Sequence, residues 1–216
     1  MNAYFQLVAE GNMTAVRLVP ATDGGDKLNI NEMMDYLHLK KIDVKNIKQL
    51  YQVALNYDKE IVVPVCDSVC LPQQEMMTVK ISDDRMEAVA RFYPPSSNGG
   101  SYRDKGDVID DLRFHKITYG YDEAVIEKYL QKRSYCTDIV IARGTAPIHG
   151  TDAVITYYFN TDLKTRPSRN EDGSVDFFHL NTINHCKTGD VLASLKKAEE
   201  GVNGTTVYGE VIRPRT

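Results

Sequence analysis

The first 66 residues change from strand-like alternation to helical spacing and back again. Two β-prone stretches, Tyr4–Val8 and Thr14–Val19, flank a polar turn and predict a hairpin. Apolar residues then recur at helical spacing, which predicts one helix capped by Asn31 and another capped by Asp43. A third β-prone stretch, Glu60–Val65, completes the order β-β-α-α-β. The apolar positions expected to face inward are Met33, Met34, Leu37, Leu39, Ile47, Leu50, Tyr51 and Ala54.

The same order of patterns follows a second time. Met76–Ile81 and Met86–Tyr93 predict a hairpin, and Lys105–His115 predicts a helix. Asp122 is expected to cap the next helix, and Thr137–Ile141 predicts the closing strand. We therefore predict an α+β fold of two ββααβ modules. The first module spans residues 1–74 and the second spans residues 75–143.

Residue identities suggest that the two modules are a tandem duplication. Residues 6–18 lie ungapped on residues 79–91, and both copies contain Met-x-Ala-Val, at Met13–Val16 and Met86–Val89. Such a repeat predicts two similar units, whose shared residues hold each unit together. Further matches are Pro20, Gly24, Gly25, Asp35, Leu37, Lys41 and Ile42 with Pro95, Gly99, Gly100, Asp110, Leu112, Lys116 and Ile117, Asp43 and Ile47 with Asp122 and Ile126, and Glu60–Val63 with Asp138–Ile141.

Helical spacing is not found after Arg143. Four short β-prone stretches remain, and they predict a small all-β domain over residues 144–216. The turn Thr188–Ala193 resembles a turn of lipoyl and biotinyl carrier domains, which implies a sandwich-like fold. The last stretch runs almost to the final residue, so we expect the chain to continue in a longer protein. The four stretches are Ala153–Phe159, Ser174–Leu180, Ile183–Ala193 and Thr205–Ile212.

Composition narrows the possible functions. A net charge of −4 and a pI near 5.7 argue against a nucleic-acid binder, which needs a concentrated basic surface. No apolar run reaches the ~20 residues that span a bilayer, and the N-terminus lacks a secretory signal, so we expect a cytoplasmic protein without membrane insertion. Cys66 and Cys70 form a C-x3-C pair without a second pair, so no metal site is expected. The sequence has neither the phosphate-binding nor the dinucleotide-binding glycine motif, so no cofactor is expected.

One loop carries residues that could perform chemistry. A histidine near a carboxylate suits acid/base work or ligand binding, whereas closely spaced glycines and a proline are also typical of a structural turn. The glycine pairs at 24–25 and 99–100 leave a similar choice between phosphate binding and loop geometry. We favour the structural interpretation in both cases. The candidate residues of the loop are Arg143, Gly144, Pro147, His149, Gly150 and Asp152.

Seven short segments in a fixed order form a recognisable pattern. They are Asn2–Val8, Pro94–Gly100, Lys116–Tyr121, Ala142–Ala153, Asp172–Phe177, Gly189–Ala193 and Val207–Ile212. Together these segments resemble the N-terminal region of the flagellar assembly protein A family. The resemblance implies a cytoplasmic, non-enzymatic scaffold that binds protein partners in flagellar assembly. It also implies a parallel β-solenoid after this region, absent here, through which the intact protein would form a homo-oligomer.

Two other functions remain as hypotheses. An enzyme or a small-ligand-binding protein would use the loop of residues 143–152, provided that its side chains converge with other titratable groups in a pocket. A nucleic-acid module is suggested by the KH-like order of elements, but the chain lacks the Gly-x-x-Gly loop and the basic face of such modules. The leading hypothesis is the non-catalytic scaffold.

Overall fold

A computed structural model describes residues 1–159, 161, 168–169, 175–176 and 186–215. The described chain mixes helices with antiparallel sheets, so the predicted α+β class is confirmed. It divides into two compact units. The first unit contains Met1–Ala146 and Gly204–Ile212, and the second contains Pro147–Asn203 and Arg213–Thr216. The predicted three-part division at residues 74 and 143 stays a prediction.

The two modules have the same order of elements and the same strand order. Each consists of a hairpin, two helices and a third strand, and each sheet is antiparallel with the second strand in its centre. The first module contains β1 (Tyr4–Glu10), β2 (Met13–Val19), α1 (Ile30–Leu39), α2 (Ile47–Leu55) and β3 (Ile61–Cys66). The second module contains β4 (Met76–Ile81), β5 (Glu87–Tyr93), α3 (Lys105–Phe114), α4 (Glu123–Gln131) and β6 (Asp138–Arg143).

Two of the three predicted helix caps are wrong. Asn29, not Asn31, caps α1, and its side chain accepts the Glu32 N–H at 3.3 Å. The helix α2 follows Asn46, and Asp43 does not cap it. The cause is that the N–H of Lys45 donates to the Val65 carbonyl, which keeps the chain beside β3 before the helix starts. The cap at Asp122 is confirmed.

Each pair of helices covers one face of its own sheet. The first core includes Leu7, Val16 and Leu18 from the sheet, and the second includes Phe92 and Ile141. Burial of these apolar faces is what stabilises helices that are too short to persist alone. Two residues that were expected to face inward, Leu39 and Ile47, are instead exposed.

The ungapped alignment of residues 6–18 with residues 79–91 is wrong by one position in each strand. In the first module Glu10 pairs with Met13 around a two-residue turn, but in the second the N–H of Ser82 donates to the Glu87 carbonyl across four residues. A shift of one residue turns every side chain to the other face of a sheet. The pair Leu7–Val16 in the first core therefore corresponds to Val79–Ala90 in the second.

The second helices also need a different alignment from the one that the sequence suggested. Both have nine residues and begin directly after their N-cap residues, Asn46 and Asp122. Leu50 therefore corresponds to Ile126, and both side chains are buried. The predicted match of Ile47 with Ile126 is wrong, because Ile47 lies at the start of α2 and is exposed.

The strands after residue 144 are shorter than predicted. In the second unit β7 (Val154–Tyr157) pairs with a strand that begins at Ala193, and the described residues 186–192 form no strand. The predicted strand Ser174–Leu180 is described only at Val175–Asp176, and residues 183–185 of the next one lie outside the described residues. The remaining strands are β8 (Ser168–Arg169), β9 (Val175–Asp176), β10 (Ala193–Lys196), β11 (Gly204–Thr205) and β12 (Val211–Ile212).

The stretch Thr205–Ile212 is a turn between two strands instead of one strand. In the first unit β11 and β12 pair across a turn in which the Thr206 N–H donates to the Glu210 carbonyl.

Among the described helices, none combines the length and the apolar character needed to cross a membrane.

Candidate functional site

A groove of about 690 Å³ lies between α1 and the open face of the second sheet. The helices α3 and α4 cover the opposite face of this sheet, and α1 packs against the groove side. The lining side chains of α1 are apolar and acidic, and those of the sheet include the cations Lys80 and Arg91. From α1 the lining includes Glu32, Asp35, Tyr36 and Leu39, and from the sheet it includes Met76, Thr78, Lys80, Arg91, Tyr93 and Asp138. We call this surface the α1 groove.

A cluster of charged side chains joins α1 to the second sheet inside the α1 groove. The Nε and Nη2 atoms of Arg91 donate to the two carboxylate oxygens of Glu32 at 2.5 and 2.8 Å. The Nη1 atom of Arg91 donates to Asp138 Oδ1 at 2.8 Å, and the Tyr93 hydroxyl donates to Glu32 Oε1 at 2.7 Å. Glu32 belongs to α1 and the other three residues belong to the second sheet. The cluster therefore fastens the first module to the second.

The protonation states of Arg91 and Tyr93 are fixed near neutral pH. Burial disfavours the charged form of Arg91, but the bonds to Glu32 and Asp138 outweigh it and raise the pKa of the guanidinium. Burial, together with the bond to Glu32, raises the pKa of the Tyr93 hydroxyl. Arg91 stays charged and Tyr93 stays protonated. This arrangement suits rigid positioning of the groove and does not suit proton transfer.

A second polar cluster surrounds the buried carboxylate of Glu75. Its Oε1 accepts the Tyr129 hydroxyl at 2.6 Å, its Oε2 accepts the Arg103 N–H at 2.8 Å, and Arg133 forms an ion pair with it. Burial and then the bond to Glu75 raise the pKa of Tyr129. Each carboxylate oxygen has a donor, as a buried charge requires. The cluster joins the start of β4 to the end of α4 and is structural.

The first unit contains two of the six loop residues that the sequence singled out. The Arg143 Nε lies 3.4 Å from Glu87 Oε1, and both side chains are exposed. At Gly144 an added Cβ would lie 2.6 Å from the Thr205 carbonyl oxygen, so the close approach of two backbone segments requires glycine there. A close contact within the fold accounts for the glycine, and a binding role for Arg143 stays a prediction.

The other four loop residues belong to the second unit. The His149 Nδ1 accepts the Arg215 N–H at 2.9 Å. An added Cβ at Gly150 would lie 2.6 Å from the Glu199 carbonyl oxygen. Pro147 is half-buried and Asp152 is exposed. The backbone contacts again favour a structural role for the histidine and the glycine, and a binding role for this loop stays a prediction.

Loop geometry explains the recurring glycine pairs. Gly24 and Gly99 have positive φ values of 74° and 103°. At Gly25 and Gly100 an added Cβ would lie 2.1 Å from a carbonyl oxygen, of Met1 and of Gln73 respectively. Among the described residues, no group of three or more His, Cys, Asp or Glu side chains could hold a metal ion.

The comparison with protein families gives the decisive finding. The family described as the flagellar assembly protein A N-terminal region matches residues 77–216, more than half of the chain. The chain belongs to this family. The family is named for flagellar assembly and not for an enzymatic activity. No curated protein and no solved structure matches the chain.

The residues that match the flagellar assembly protein A family lie on only one side of the α1 groove, the side formed by the second sheet. Arg91, Tyr93, Asp138 and the loop of residues 143–152 lie inside the matched residues. The helix α1 lies outside them, as does the segment Asn2–Val8 that contributed to the sequence resemblance. The family assignment therefore rests on the second module and the residues after it.

The sequence pattern did not reveal the residues of either polar cluster. Arg91 stands in the apolar run Val89–Tyr93, and a cation in such a strand signals that it needs a partner. The pattern does not name that partner, because Glu32 lies 59 residues earlier in the chain. Glu75 directly precedes β4 and carried no signal of burial.

Proposed function

We propose that this chain is a non-catalytic, cytoplasmic protein-interaction region that serves flagellar assembly. Membership of the flagellar assembly protein A family is the observation that carries the proposal. The α1 groove supports this proposal, because an open groove with apolar, acidic and basic side chains can bind a surface segment of a partner protein. The contacts of Arg143, Gly144, His149 and Gly150 within the fold support the non-catalytic part.

The proposal also covers the duplication of the two modules and the solenoid expected after them. The equal element orders, equal helix lengths and corresponding glycines support descent of the two modules from one duplicated unit. A β-solenoid that follows this region, and self-association through it, stay predictions that rest on the family resemblance.

The exposed leucine of the α1 groove offers a sharp test. Leu39 on α1 is 63% exposed, so an aspartate at this position changes the groove surface without disturbing the core. Leu55 on α2 is 64% exposed and does not line the α1 groove, which makes Leu55→Asp a matched control. In cells of the source organism, we expect gene deletion and Leu39→Asp to reduce the number of flagella per cell, counted by electron microscopy. The Leu55→Asp cells should keep the normal number.

Two results would contradict this function. Deletion cells with a normal number of flagella would remove the link to flagellar assembly. Normal flagella in the Leu39→Asp cells, at an unchanged level of the protein, would remove the α1 groove as the interaction surface.

A further inference from the structure

The second module covers the outer edge of β1. The Ser97 N–H donates to the Leu7 carbonyl at 3.0 Å, and the Ala9 N–H donates to Ser97 Oγ at 3.2 Å. Residues 94–96 of the same loop are buried. We call residues 94–97 the covering loop. It satisfies backbone groups that an edge strand would otherwise present to solvent.

The strand β4 corresponds to β1 but lacks such a cover. Val79 and Ile81 occupy the positions of Leu7 and Ala9, and their backbone groups point away from β5 because Ser82 bonds directly to Glu87. In the described part of the chain, no hydrogen bond occupies these outward groups. An edge strand with unpaired backbone groups is a template for pairing with another segment.

The remaining outer edges of the two sheets are protected. The strand β3 contains Pro64, which has no N–H to donate. The strand β6 is bridged at Ala142 by Tyr121, and the Asp122 N–H donates to the Ile141 carbonyl. Among the described residues of the two sheets, β4 is therefore the edge that can accept a partner.

The two modules also pack in a way that is not reciprocal. The first module has its own counterpart of the covering loop in residues 20–23, because the Thr22 N–H donates to the Met1 carbonyl as the Ser96 N–H donates to the Gln73 carbonyl. Among the described residues, the backbone bonds of this loop run to Met1 and to Gly25, and none runs to β4. Pro20 and Ala21 are half-exposed and Thr22 is exposed, whereas the equivalent residues of the covering loop from 94 to 96 are buried. The first module thus keeps an exposed loop and the second keeps an uncovered edge.

We propose that a second copy of this chain places its residues 20–23 on the outer edge of β4, which gives head-to-tail association. A contact between two different surfaces repeats from copy to copy, so it leads to a ring or an open chain. The charges agree with this occupant, because Lys80 lies exposed between Val79 and Ile81, and Asp23 is exposed in the loop. The inference deepens the proposed function, since it rests on a protein-interaction role and names one partner.

Sedimentation velocity of the chain with exchanged charges tests this contact. From about 1 µM to about 1 mM, the range of weak protein interfaces, we expect the average mass to rise with concentration beyond that of a dimer. Lys80→Glu and Asp23→Lys should each weaken association about tenfold, because they place like charges together. The double variant Lys80→Glu/Asp23→Lys should restore it. Lys128→Glu on α4 makes the same change of charge elsewhere and should leave association unchanged.

Three results would overturn the head-to-tail contact. They are a wild-type chain that stays monomeric up to about 1 mM, association that neither charge reversal weakens, and a double variant that associates no better than the single ones. Failure of this inference is separate from failure of the proposed function. A monomeric chain whose Leu39→Asp variant still reduces flagella would overturn the second copy as partner and leave the flagellar role intact.

Discussion

The two modules place different residues at the same point before their first strands. Ala3 and Glu75 each precede the strand by one residue, and each N–H donates at 2.9 Å to an equivalent carbonyl, of Asp26 and of Ser101. Both side chains are buried, at 3% and 0% exposure. One module fills the position with a methyl group, and the other fills it with a carboxylate that requires three donors.

This difference separates what the shared backbone requires from what one module adds. The first module shows that an apolar contact suffices at this point, so the charged cluster around Glu75 is not required by the fold. Taking charges out of water costs several kcal/mol, which the ion pair and its hydrogen bonds only offset. The Glu75 cluster should therefore matter mainly because its members depend on one another.

Replacing Glu75 by the residue of the first module should break the second module most strongly. Glu75→Ala leaves Arg133 and Tyr129 partly buried without their acceptor, and we expect a loss of about 3–5 kcal/mol in the free energy of unfolding. Urea denaturation at pH 7 measures the loss. An exposed glutamate offers the control, since Glu87→Ala should cost less than about 0.5 kcal/mol.

A compensating variant tests whether the loss in Glu75→Ala arises because Tyr129 and Arg133 are left without their acceptor. The triple variant Glu75→Ala, Tyr129→Phe and Arg133→Met removes the partners together with the carboxylate, and we expect it to recover most of the loss. A cost below about 1 kcal/mol for Glu75→Ala alone would mean that the cluster does not stabilise the second module.

The glycine pairs test the similarity of the modules instead of their difference. An added Cβ would approach a carbonyl oxygen to 2.1 Å at both Gly25 and Gly100. We expect Gly25→Ala and Gly100→Ala to destabilise the chain by about 1–3 kcal/mol each, and by equal amounts within about 0.5 kcal/mol, because the same crowding arises in both. Thermal or urea unfolding gives both values. Gly106→Ala in α3 is the control and should cost less than either, because its added Cβ would approach only a side-chain oxygen, that of Asp104 at 3.1 Å.

A buried thiol tests how the second module contributes to the first. Cys136 belongs to the second module but packs in the core of the first, where burial raises its pKa from 9.0 to about 12. Between these values the unfolded chain has released the proton that the folded chain still holds, so stability falls as pH rises. At pH 8 we expect the free energy of unfolding of wild type to exceed that of Cys136→Ala by about 1 kcal/mol.

The same measurement at higher pH gives the diagnostic result. The advantage of wild type over Cys136→Ala should shrink as the pH of urea unfolding rises above 9.0, the ordinary pKa of the thiol. Cys186→Ala, which removes an exposed thiol, is the control for the loss of a cysteine. A constant difference between wild type and Cys136→Ala would mean that the thiol titrates alike in both states.

Local patterns predicted the order of elements well. Alternation located the hairpins, helical spacing located the four helices, and Asp122 was correctly identified as a cap. The errors arose where several solutions fit the same pattern. Asn29 and Asn31 are both good caps, and a hairpin turn of two residues differs from one of four by a shift that identities alone do not reveal.

The α1 groove could not be predicted because its parts meet only through the packing of two modules. The sequence shows that Arg91 needs a partner, but Glu32 and Asp138 lie 59 and 47 residues away. By contrast, the family resemblance was confirmed from residue 77 onward, since ordered short segments identify a family without any knowledge of contacts.

The smallest effect is expected at two lysines that end corresponding helices. Lys41 and Lys116 have positive φ values of 56° and 62°, and the residue after each donates its N–H to the carbonyl five residues earlier. This is the Schellman arrangement, in which glycine is the favoured residue because it has no Cβ. We expect Lys41→Gly and Lys116→Gly each to raise the free energy of unfolding by about 0.5–1 kcal/mol. Equal gains in urea unfolding would show that the two helix ends are equivalent in energy as well as in geometry, and a loss in either would contradict this.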